Sequence, residues 1–109
     1  MSKEVSQLQL AQQSFDLIKK DLGLAEESLM LEEQDAFERL HQKLTSIVQY
    51  LLDKDFGRLL NAMYRIDISE HQVKDILNFG KPDQIASELA KSIIEREKQK
   101  VITRIKYSR

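Results

Sequence analysis

The chain has 109 residues, enough for one domain with a modest core and too few for two. Charged residues make up 32% and apolar residues 41%, a balance that fits a globular domain and not a disordered chain. The absence of cysteine excludes disulfides, thiolate catalysis and cysteine zinc sites; net charge is −1, and one proline and three glycines leave long helices little interrupted.

Residues 4–22 read as a first helix closed by Gly23. Leu8, Ala11, Phe15, Ile18 and Leu22 share one face, while Leu10 and Leu17 fall nearly opposite. A helix apolar on two sides is sandwiched between neighbours or offers its second side to another chain. Residues 24–36 connect to a second helix expected from near 29 to 52, with Phe37, Leu40, Leu44, Ile47, Val48 and Leu51 on its period. At 1.5 Å per residue that helix would be about 35 Å long, which implies an elongated molecule.

The stretch 51–77 carries the clearest local signals. Asp55 or Asp53 can cap a third helix whose stripe is Phe56, Leu59, Leu60, Met63 and Tyr64. Ile66 and Ile68 alternate with polar residues and predict an extended step between Arg65 and Ile68. Ser69 with Gln72 forms a capping box, and Ile68 with Val73 the matching apolar staple, so a fourth helix starts at the corner. Asn78-Phe79-Gly80 suits a left-handed end, and Lys81-Pro82-Asp83 breaks the chain before a last helix starting near Asp83. Ile85, Ala86, Leu89, Ala90, Ile93 and Ile94 form its inner side. The six polar residues 95–100 then predict that the helix leaves the core after Ile94. Residues 98–109 thus form a projecting or frayed end.

The run DFGRLLNAMYRIDIS, followed by a last helix containing IIEREKQKVITR, resembles small uncharacterised bacterial all-helical proteins that pair such a segment with a basic C-terminal helix. The likeness covers about the C-terminal half. It implies a stand-alone small cytoplasmic protein and assigns no activity or functional residue.

Charge is unevenly spread. Residues 26–38 hold six acids and no base; residues 98–109 hold five bases, Lys98, Lys100, Arg104, Lys106 and Arg109, and no acid. The plain account is complementarity to the helix dipoles. The sharper one is that the two segments attract each other, within or between chains, or that the tail contacts an acidic partner. Beside the bases, Val101, Ile102, Ile105 and Tyr107 make a second apolar cluster.

Motifs for chemistry are sparse. Glu38 and His41 match Glu-x-x-His, which places two metal ligands on one helix face, but carboxylate-bridged bundles need the motif twice. His71 follows Glu70 directly, at the wrong spacing. No Gly-rich phosphate loop and no nucleophile pattern is present. The corner before 69–78 invites a helix-turn-helix reading, yet Glu70 and Asp75 would repel phosphates and no base-reading Arg or Asn opens that helix. Arg65 and Asp67 flank the corner and are expected to pair across it or to be solvated.

The expectation is an all-α domain over 1–109, a bundle of four to five helices, with the first, second and last helices carrying the short third and fourth at one end. Its function is expected to be a non-enzymatic interaction or assembly module, self-associating through surplus apolar surface at Leu10, Leu17, Val101, Ile102, Ile105 and Tyr107. A nucleic-acid-associated regulator using the basic tail is one alternative; a small metal enzyme through Glu38 and His41 is another. No cofactor, catalytic residue, membrane span or small-molecule substrate is expected. With no apolar run long enough to span a membrane and no leader pattern, the cytoplasm is the expected location.

Overall fold

The computed structural model describes residues 6–108. Residues 4 and 5 of the first expected helix, and Arg109 of the basic tail, lie outside them. The described residues form five helices and no strand: α1 (Gln7–Leu22), α2 (Ala36–Lys54), α3 (Phe56–Ile66), α4 (Glu70–Phe79) and α5 (Ile85–Tyr107).

Helix α1 starts where Ser6 accepts a hydrogen bond from the Gln9 N–H at 3.0 Å. The Glu33 carboxylate takes the Leu8 N–H at 2.7 Å, so the acidic connection satisfies a second free donor of that first turn. Gly23 ends the helix at φ 69°, a left-handed conformation that disfavours a side chain. Leu10, expected on an outer face, is buried, and Leu17 is half-buried. The reason is that α1 packs against α2, α3 and α5 and is sandwiched, so it keeps no second greasy side.

Helix α2 begins at Ala36 and not near residue 29. Residues 24–35 are turns and irregular chain. Leu29 and Leu31 lean on the core while Met30 between them is 85% exposed, a period of two that no helix supports. The 19 residues of α2 are about 28 Å long, and Ala36, Leu40, Leu44, Val48 and Leu51 are buried along one side.

Asp55 ends α2 and caps α3 by accepting from the Arg58 N–H, so the two helices share one residue. The buried stripe of α3 is Leu59, Ala62, Met63 and Ile66; Leu59 and Met63 are the expected ones, Leu60 packs partly buried against the core, and Ala62 and Ile66 take the places expected of Phe56 and Tyr64. Phe56 and Tyr64 are exposed, because Ile66 continues the helical stripe from Met63 instead of entering an extended step. Asp67 then turns the chain in the left-handed region at φ 76°, its N–H bonded back to Tyr64.

The Ser69 hydroxyl accepts from the Gln72 N–H as a cap for α4, while the Gln72 amide donates across to Ser92 on α5. Ile68 and Val73, the expected staple, are both buried in the core. The end of α4 differs from expectation. Gly80 is extended (φ −71°, ψ 149°), and glycine is required by space: a Cβ there would lie 2.5 Å from the Ile76 carbonyl oxygen.

Helix α5, 23 residues long, packs against all four other helices. It is the axis of a bundle with α1 and α2; α3 leans on those three, and α4 lies on α5. The molecule measures 45 × 27 × 24 Å. It is elongated, as the helix lengths implied. Among the described residues no helix is long and apolar enough to cross a membrane. Helix α5 does not leave the core after Ile94: Glu97 and Val101 are buried, one turn apart, and separation begins at Ile102.

Candidate functional site

The polar run 95–100 hides one residue of the buried stripe. Ile93, Glu97 and Val101 are spaced by four, and Glu97 is 0% exposed. Its Oε1 lies 3.2 Å from the Lys100 ammonium, and the other neighbouring charge is the Asp21 carboxyl on α1. Apart from the Lys100 ammonium beside Oε1, neither Glu97 oxygen has a hydrogen-bond partner among the described residues. Burial, first, and then the Asp21 carboxyl push the Glu97 pKa up to about 7, against the opposing pull of Lys100.

Asp21 sits at a well-held end of α1. Arg58 donates from Nε and Nη2 to the Leu22 carbonyl oxygen, at 3.2 and 2.8 Å, and from Nη2 to that of Gly23 at 2.8 Å. Arg65 reaches the Asp21 carbonyl oxygen at 3.3 Å. These two arginines of α3 satisfy the free carbonyls that α1 leaves at its C-terminus. Sequence reading missed both Arg58 and Glu97. The i, i+4, i+8 spacing of Ile93, Glu97 and Val101 was the available signal for Glu97; nothing local announces Arg58.

Arg65 and Asp67 do not pair with each other. Asp67 instead receives Arg96 of α5 at 3.3 Å, because its left-handed turn aims it away from α3. Glu38 is exposed, while the His41 Nε2 lies 3.0 Å from the Ser87 carbonyl oxygen and 3.2 Å from its hydroxyl. The ring joins α2 to α5, and among the described residues no group of three or more His, Asp or Glu could hold a metal ion.

The expected surface residues separate into two groups. Leu10 and Val101 are buried in this chain's own core, and Leu17 is half-buried. Ile102 is 44% and Tyr107 74% exposed, with Ile105 half-buried. Of the bases, Lys100 serves Glu97, and Lys98 lies over the Phe37 ring with its ammonium 4.7 Å from the centroid. Arg104 and Lys106 are exposed and form no ion pair with the described residues. An open groove of about 1050 Å³ between α4 and α5, walled by charges of both signs, runs up to Ile102. The last turns of α5 therefore stand clear of the bundle as an apolar and basic surface. No family model matches this chain, and no curated protein or solved structure matches it significantly.

Proposed function

We propose that this protein is a non-enzymatic interaction module that self-associates through the exposed end of α5. The observation that carries the reading is the run beyond Val101, where Ile102 and Tyr107 are exposed beside Arg104 and Lys106. Apolar side chains interleaved with bases at the end of a long helix are the composition of a helix that docks on another surface. The His41 ring, engaged by Ser87, favours this over metal chemistry. The acids on α4, Glu70 and Asp75, favour it over duplex recognition by that helix.

Light scattering on the full chain and on a version ending at Val101 tests the reading. The full chain is expected at twice its 12.7 kDa mass, and the shortened one at the single-chain mass. Two single-chain masses at every concentration overturn the proposal, as does a dimer unaffected by the shortening.

A further inference from the structure

The partner that the end of α5 meets can be read from charge, on the premise that the self-association above is correct. The segment 26–38 is acidic throughout and without a base. Part of that charge is used inside the chain: Glu27 pairs with Lys43 at 2.9 Å, and Glu33 holds the first turn of α1. Glu26 and Glu32 are exposed and form no ion pair with the described residues. Between them stands Met30, the most exposed large apolar side chain of the described residues. This surface is apolar and acidic, whereas the end of α5 is apolar and basic.

One contact links the two regions of the chain. Lys98, one turn before Ile102, lies over Phe37 at the start of α2, so the base of the projecting helix end adjoins the segment that leads into α2. Two patches of opposite charge on one molecule can be self-complementary about a two-fold axis. Turning a second molecule over sets each basic patch on the other's acidic one, and one contact made twice closes the assembly. We propose that the end of α5 docks on the Met30 segment of a second copy of this chain, reciprocally, with Arg104 and Lys106 facing Glu26 and Glu32.

Charge exchange tests this. R104E/K106E and E26K/E32K are each studied alone and as an equimolar mixture, by sedimentation velocity at about 50 and 500 mM salt. Each variant alone puts like charges at both contacts, and its dissociation constant is expected to rise at least tenfold over the natural chain's. The mixture restores opposite charges at both contacts, so mixed dimers are expected, and they should weaken at the higher salt. Variants that dimerise alone as well as the natural chain, or a mixture that stays monomeric, overturn the assignment of this face and leave the self-association itself standing. A natural chain that is monomeric removes the premise instead. Should a reversed variant fail to fold by circular dichroism, R104Q/K106Q and E26Q/E32Q replace the pair. Each is then expected to loosen the dimer several-fold, and an unchanged dimer overturns the assignment.

Discussion

Glu97 occupies a place that the helical period of α5 reserves for an apolar side chain, four residues after Ile93 and four before Val101, both buried. Folding carries its pKa from about 4.5 to about 7. Between those values the folded chain holds a proton that the unfolded chain has released, so this residue makes stability fall as pH rises through the window. Below about 4.5 both states are protonated and above about 7 both are ionised, so its contribution is flat at either end. The full difference is at most ~3 kcal/mol. Glu97→Gln keeps the shape and removes the titration. Its urea midpoint should match the natural protein's near pH 4.5 and exceed it at pH 8, by roughly 2 kcal/mol in stability. An equal offset at both pH values would show that Glu97 does not titrate in this window. Sequence alone hid this residue because five of its neighbours in the run 95–100 are the ordinary charged and polar residues of a solvated helix face.

At the scale of elements, the corner between α3 and α4 divides what the chain announces from what it conceals. Ser69 caps α4 as its spacing to Gln72 implied, and Asp55 caps α3. The step before Ser69 was misread because Ile66 and Ile68 look like alternating strand residues, while Ile66 also lies three residues beyond Met63 and completes a helical stripe. The expected and observed stripes of α3 share Leu59 and Met63 and differ in their edges. Spacing alone admits Phe56 and Tyr64 at one edge, and the burial of Ala62 and Ile66 against other elements is what excludes them. The turn itself rests on Asp67 at φ 76°, a conformation that costs an L-residue about 1 kcal/mol and costs glycine little. Asp67→Gly also removes the Arg96 contact, but the Asp67 side chain is 83% exposed and such a pair contributes little. The substitution is expected to raise stability by about 0.5 kcal/mol once glycine's larger unfolded-state freedom is counted. A loss above 1 kcal/mol in the denaturation midpoint would mean that the Arg96 contact holds the corner.

For the whole molecule, an all-α bundle of four to five helices and the stops at Gly23 and Pro82 were legible, because Gly, Pro and a sustained 3.6-residue period are local signals. The molecule is elongated, but the second helix that implied it is shorter than expected. The late start of α2 was not legible. Its cause is the engagement of Glu33 with the far end of α1 and the alternation of Leu29, Met30 and Leu31 against the core, neither of which a local window contains. The extent of α5 in the core has a measurable consequence. At concentrations low enough that the natural chain is monomeric, shortening it after Val101 should leave the denaturation midpoint within about 0.5 kcal/mol of the natural one, since Ile102 and Tyr107 are exposed. Shortening it after Glu97 removes buried Val101 and the Lys100 ammonium, and should cost about 2 kcal/mol or more. Equal stability of the two shortened chains would place the end of the core at Ile94.

Helix α5 touches every other helix: α1, α2 and α3 can pack on one another before it exists, but their shared face stays uncovered and α4 has nothing to lie on. On the ribosome those four helices are made first, and the 23 residues of α5 take roughly one to five seconds more at about 5–20 residues per second. For that interval Ile18, Leu40 and Met63 face water or one another in a partly gathered chain. The nascent protein is most open to chaperones and to aggregation in the moments before its central helix arrives.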